Sequence, residues 1–159
     1  MTHEVLLLLG SNVDREYHLP LACRRLSERF LVLRSSDRYQ SAAVGAPGTP
    51  DFQNQAVLIA TDLDHTSLRL ALREVESSQG RVRTADPNAP RTIDIDIVYV
   101  ADGPDGAAHD VDSDLARYHH VAVPAAEIDG ARRLADARTV DDIARSLGPP
   151  PHGFRRLHE

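Results

Sequence analysis

Arg91-Thr92-Ile93-Asp94-Ile95-Asp96-Ile97-Val98-Tyr99-Val100 decides how this chain is read. Side chains alternate across a β-strand, so Ile93, Ile95 and Ile97 face one way while Thr92, Asp94 and Asp96 face the other. One face is core and the other is available for chemistry. At a rise of roughly 3.3 Å per residue the α-carbons of Asp94 and Asp96 lie about 6.6 Å apart, within reach of two cations about 3.5 to 4 Å from each other. Without a cation the two like charges oppose each other's ionisation. Taken alone, the same pattern also describes a half-exposed strand with an acidic polar face.

The neighbourhood favours chemistry. Gln79-Gly80-Arg81-Val82-Arg83 lies upstream, followed by a polar segment from Thr84 to Ala89 and then by Pro90-Arg91-Thr92. Three arginines bracket a loop that enters the acidic strand, and a guanidinium is a rigid fork suited to phosphate oxygens. Arginines for phosphate beside carboxylates for metal are the parts of a nucleoside triphosphate site. This order closely resembles the 6-hydroxymethyl-7,8-dihydropterin pyrophosphokinase family of folate biosynthesis. Its signature, G-R-x-R, a short loop, then P-R-x-x-D-x-D, stands here as Gly80, Arg81, Arg83, Pro90, Arg91, Asp94 and Asp96.

Global properties bound the reading. A chain of 159 residues fits one domain with a full hydrophobic core, taken as residues 1–159. A formal net charge of −6 argues against general affinity for nucleic acid or membrane surfaces. All the Lys+Arg residues are arginine, so no lysine serves as phosphate ligand or nucleophile. The single cysteine, Cys23, excludes an internal disulfide and a multi-cysteine metal site, which predicts a reducing cytoplasm and a buried apolar role for the thiol. The chain opens without a secretory-type leader, and no apolar run approaches 18 residues; secretion and membrane spanning are not expected.

In chain order, Glu4 to Leu9 predicts a buried central strand that ends at Gly10-Ser11-Asn12. Leu19, Ala22, Leu26 and Phe30 recur at helical spacing over 15–30, with Pro20 expected in or near the first turn. Residues 31–42 predict a second strand, 43–50 a glycine- and proline-rich loop, and 52–61 a third strand. Leu68, Ala71 or Leu72, and Val75 predict a helix from Asp64 or Thr66 that Gly80 caps. After the acidic strand, 101–114 reads as a solvated turn or flexible loop. Thr139 begins a capped helix that Gly148-Pro149-Pro150-Pro151 stops, and Phe154-Arg155-Arg156 reads as a frayed or packed terminus. Strand, helix, strand, strand, helix, strand is the split βαβ order, so the predicted fold is α+β: a ferredoxin-like βαββαβ sandwich, mainly antiparallel, with a small helical C-terminal extension.

The resemblance adds roles that the residues alone leave open. It implies transfer of pyrophosphate from ATP to the hydroxymethyl group of 6-hydroxymethyl-7,8-dihydropterin, with two Mg²⁺ ions on Asp94 and Asp96 and release of AMP. It implies phosphate contacts from Arg81, Arg83 and Arg91, and nucleotide contacts at Glu76 and Ile97. The pterin contacts it implies are Ser41, Val44, Phe52, Asn54 and Asp94, with His120 at the position of a second aromatic. By themselves Phe52 reads as core, Asn54 as a strand-end cap and Glu76 as a solvated helical glutamate. Partners are then ATP and a pterin-like small molecule, with no nucleic acid or membrane, in a monomer or at most a weak homodimer.

The resemblance weakens over 103–120. A Pro-His pair is absent there, and an Arg-x-Phe element is replaced by Tyr118 and His120. His120 is still a flat ring able to stack, with an added hydrogen-bonding option. Adjacent His119 and His120 would face opposite ways on a strand, which argues against a histidine metal site. Two alternatives follow: a related pyrophosphokinase with a different heterocyclic acceptor, or a silent ferredoxin-like binding module.

Overall fold

The computed structural model describes residues 2–42, 51–81 and 92–157. Val44, Arg83 and Arg91 lie outside the described residues. The central strand is β1 (His3–Ser11), in which Val5 to Leu9 are all buried because both faces of the strand are covered. It pairs antiparallel with β4 (Phe52–Thr61) on one side and with β5 (Asp94–Ala101) on the other.

Helix α1 (Arg15–Arg29) and helix α2 (His65–Ser78) cover one face, where Leu19, Ala22, Leu26, Leu68, Leu72 and Val75 meet Val5, Leu7, Leu9, Val57, Ile59 and Ile95. Helix α3 (His119–Asp129) and helix α4 (Val140–Ser146) cover the other, against Leu6, Leu8, Ala56, Leu58, Val98 and Tyr99. Among the described residues every ladder of the sheet is antiparallel, and helices lie on both faces, so the α+β class and the ferredoxin-like core hold.

Four details depart from the sequence reading. The expected strand over 31–42 is two, β2 (Leu31–Ser35) and β3 (Arg38–Ser41), both paired with β4. Ser36 makes the break: its hydroxyl accepts from Ala56 N at 2.9 Å while its own N–H donates to Ala56 O. Residues 101–114, read as a turn or loop, also contain the short strand β6 (Ala108–His109) on β5 and the start of a 3-10 turn, Ser113–Ala116. His119 and His120 occupy the first turn of α3 and not a strand, so the argument from alternating faces does not apply to them. Finally, Arg155–Leu157 forms strand β7, paired with β3 at the sheet edge.

Gly80 follows α2 at φ +82° as its expected cap; Pro20 lies inside α1 just past its first turn, and Cys23 is half-buried, less enclosed than expected, with its thiol 3.4 Å from Gln55 Oε1. Burial pushes the Cys23 thiol up to about 11, which keeps it inert near neutral pH. Among the described residues no helix is long and apolar enough to cross a membrane.

Thr139 builds a complete capping box: its hydroxyl accepts from Asp142 N at 3.1 Å and its own N–H donates to Asp142 Oδ2 at 2.9 Å. Thr139→Ala should lower the unfolding free energy by about 1 kcal/mol in urea titrations with the m-value unchanged. An unchanged midpoint would mean that the cap does not anchor α4.

Candidate active site

The registers of β1 place the candidate residues in one row. Gly10 is paired with Asn54 of β4 on one side and with Asp94 of β5 on the other, and Asn54 is in turn paired with Tyr39 of β3. Directly paired residues share a face, so Asp94, Gly10, Asn54 and Tyr39 line one side of the sheet. It is the side covered by α3, beyond the end of the apolar core. Asp96 and Phe52 lie on the same side, two residues from Asp94 and Asn54.

Gly10 leaves little room for a side chain. A Cβ there would come 3.0 Å from Asn54 Oδ1 and 3.7 Å from Phe52 Cδ1. Asn54 is buried, and its amide donates to Ser41 Oγ at 3.0 Å, so Ser41, Asn54 and Phe52 form one group. Next to Gly10, the buried Ser11 hydroxyl donates to Thr92 O at 2.5 Å and ties the end of β1 to the chain that leads into Asp94. The sequence marks Gly10-Ser11-Asn12 only as the end of the first strand; close packing is what gives it a role.

The acidic strand is braced from behind by α2. Glu76 is buried, and its Oε2 accepts the backbone N–H of Ile95 at 2.8 Å, between the two aspartates. Its carboxylate is thus fixed to the main chain of β5, not laid on a solvated helix face. The chain leaves α2 by hydrogen bonds from Gln79 N and Arg81 N to Glu76 O, which turns Arg81 back toward β5. Arg81 Nη1 stands 3.5 Å from Asp94 Oδ1 and donates to Ile93 O at 3.3 Å. Ile97 packs on the opposite face among the α1 and α2 contacts, so only its main chain is available on the aspartate side.

Charge accumulates here. Asp96 reaches solvent but is crowded by protein atoms; this desolvation, the charge of Asp94, a hydrogen bond shared with it, and the carboxylates of Glu76 and Asp112 push its carboxyl up to about 7. Asp112 was not picked out as a site residue, because it lies far along the chain in a segment read as loop. His120 stacks on Tyr118 with centroids 5.2 Å apart, and burial lowers its pKa, which favours a neutral ring.

Among the described residues no group of three or more His, Cys, Asp or Glu is arranged to hold a metal ion unaided. Two carboxylates on one face nevertheless fit a hard cation such as Mg²⁺, which takes one or two carboxylates and completes its shell with water and phosphate oxygens. The raised pKa of Asp96 reflects a crowding of negative charge that such a cation would relieve.

Comparison with known proteins agrees with this geometry. The family model described as 7,8-dihydro-6-hydroxymethylpterin-pyrophosphokinase (HPPK) matches residues 6–131. The chain belongs to the HPPK family. Similar proteins include the bifunctional protein FolKE of Lactococcus lactis strain IL1403, 39% identical over 99 residues that cover 60% of this chain and 28% of that one. The 2-amino-4-hydroxy-6-hydroxymethyldihydropteridine pyrophosphokinase of Pseudomonas putida is 33% identical over 105 residues, 64% of this chain and 86% of that one. The HPPK-DHPS of Plasmodium falciparum, solved with pteroate, superposes with a TM-score of 0.65 at 10% identity over 92% of this chain and 42% of that one, which establishes the shared fold. The chain spans less than a third of the two FolKE proteins it matches.

A free aspartate titrates near 3.9, so between about pH 4 and pH 7 the folded HPPK chain holds a proton on Asp96 that the unfolded chain has released. In EDTA, stability should therefore fall as pH rises through this window, and Asp96→Asn should flatten that fall. Urea midpoints measured from pH 4 to 8 test it; parallel curves for the two proteins would refute the placement of the charge.

Proposed function

We propose that this chain transfers the β,γ-diphosphate of ATP to the hydroxymethyl group of 6-hydroxymethyl-7,8-dihydropterin and releases AMP. The observation that carries this reading is the shared row, which puts the acidic pair two strands from an amide and an aromatic ring on the same face. At about 4.8 Å between strands, Asp94 and Asn54 are roughly 10 Å apart in backbone, a span suited to a bicyclic ring with a one-carbon arm.

In this reading Phe52 offers its face to the flat ring, while Asn54 and Ser41 meet its polar edge, with Val44 from the adjoining segment. The acceptor hydroxymethyl group then points along the row toward Asp94. Asp94 and Asp96 hold Mg²⁺, two ions in this proposal, which when bound neutralise phosphate charge and make the hydroxyl more acidic. Arg81, Arg83 and Arg91 grip the phosphate oxygens. Glu76 serves the nucleotide side by holding the Ile95 N–H and so fixing the aspartates, and Ile97 contributes main chain. The acceptor oxygen bonds to the β-phosphorus as the bridge from α to β breaks; AMP keeps the bridging oxygen and the hydroxyl proton passes to water. Holding both substrates on one rigid sheet is itself a large part of such catalysis.

The formal net charge of −6 and a single free cysteine support small-molecule rather than nucleic-acid partners and a reducing cytoplasm. A monomeric state belongs to the same reading. A second reading, the same transfer to a different hydroxymethyl heterocycle, is favoured by one observation: a neutral His120 stacked on Tyr118 stands where the family has a phenylalanine.

AMP release from Mg-ATP with a panel of hydroxymethyl heterocycles separates the two readings, and the first expects the dihydropterin to give the highest kcat/KM. Asp94→Asn and Asp96→Asn should each lower turnover by about 100-fold or more with the fold intact by circular dichroism. Near-normal turnover in either variant would remove the proposed metal role.

A further inference from the structure

The family match stops at residue 131, yet the last segment of the chain returns to the acceptor side of the sheet. Strand β7 pairs with β3 so that Arg156 lies opposite Tyr39, and the step back of two residues brings Phe154 to the same face. The Phe154 ring stacks on Tyr39, centroids 5.7 Å apart and planes 18° from parallel. On another side it meets His119, 6.0 Å away and tilted by 54°. Phe154 is therefore a wedge between β3, which carries Ser41, and the first turn of α3, which carries His120.

The surrounding contacts hold the wedge in place. Arg156 Nε donates to Asp37 Oδ2 at 2.7 Å, and its Nη2 stands 3.4 Å from Glu127 Oε1, the atom that also accepts from Tyr39 OH at 2.7 Å. His119 Nε2 is 3.0 Å from Gly148 O, so the α3 turn is fastened to the start of the same segment. Gly153, at φ +86°, is near Ala42, the residue after Ser41; a Cβ there would come 4.0 Å from Ala42 Cβ. Gly148, Phe154 and Arg156 thus clasp the two elements that flank the acceptor, and among the described residues their contacts run to β3, the turn before it and α3.

We propose that the C-terminal segment, through Phe154, is a positioning element for the acceptor half of the site: it sets the spacing between Ser41 on β3 and His120 on α3 and leaves the ATP half unaffected. This inference rests on the diphosphate-transfer reading. Small displacements of groups that orient a substrate cost an order of magnitude or more in efficiency, and a lost positioning contact is read from how KM and kcat divide.

The test uses the full chain with Mg-ATP and 6-hydroxymethyl-7,8-dihydropterin, following AMP. Phe154→Ala should raise the acceptor KM about tenfold while leaving the KM for ATP within about twofold, and Phe154→Tyr should restore the acceptor KM because the flat wedge is kept. An acceptor KM that does not move in folded Phe154→Ala overturns the inference, as does an equal rise for both substrates. Should Phe154→Ala melt below the assay temperature, the same split is read on Phe154→Leu, which fills the space without a flat ring. Normal parental turnover with an unmoved acceptor KM defeats the inference alone; a parent that releases no AMP with any pterin defeats the transfer reading and the inference with it.

Discussion

The double registration of β1 is the constraint on which this molecule depends. One strand, hydrogen-bonded on both edges, fixes β4 and β5 relative to each other, and at Gly10 it brings Asn54 and Asp94 into line. Because the side-chain period of a strand is two, a slip of one residue on either ladder would turn one partner to the opposite face. The slip is opposed by the two cores: Val5, Leu7 and Leu9 are buried on one side and Leu6 and Leu8 on the other, so each register error would exchange whole sets of apolar contacts. Packing that has nothing to do with chemistry therefore holds the candidate site to its geometry.

The site also runs against the interest of the fold. Asp94, Asp96, Glu76 and Asp112 gather carboxylates where burial already penalises charge, and the rise in the Asp96 pKa reflects that opposition. Arg81 is one group that answers it, reaching Asp94 at 3.5 Å. A structural role alone would favour apolar or neutral residues at such positions. Retained charge that costs stability is what a site for a cation and a polyanion requires, since the same repulsion becomes binding free energy when a divalent ion enters.

What the sequence revealed follows from how local each signal is. The acidic strand was legible because the alternation from Thr92 to Ile97 is set within the strand itself, and the capped α4 because its box spans four residues. The α3 turn was not legible: Val121 to Ile128 is a short apolar run with Pro124 in the middle, and such runs do not distinguish buried helix from strand by periodicity. The split at Ser36 depends on a hydroxyl that replaces a ladder contact with Ala56, which no local pattern announces. Glu76 was flagged only through family resemblance, and its brace to Ile95 N links residues 19 positions apart. Gly10, Ser11 and Asp112 gained their roles from tertiary neighbours alone.

Strand β7 is the extreme of the same rule. Three residues, two of them arginine, carry no strand propensity worth the name, and a proline run precedes them. What orders them is an edge: β3 has β4 on one side and would otherwise present bare N–H and C=O groups on the other. Covering that edge satisfies the backbone and carries an aromatic ring to Tyr39 and His119 at once. The same hydrogen bonds that protect the sheet thus join its edge to the α3 turn, and a tail without a recognisable motif becomes part of the frame that holds β3 and α3 together.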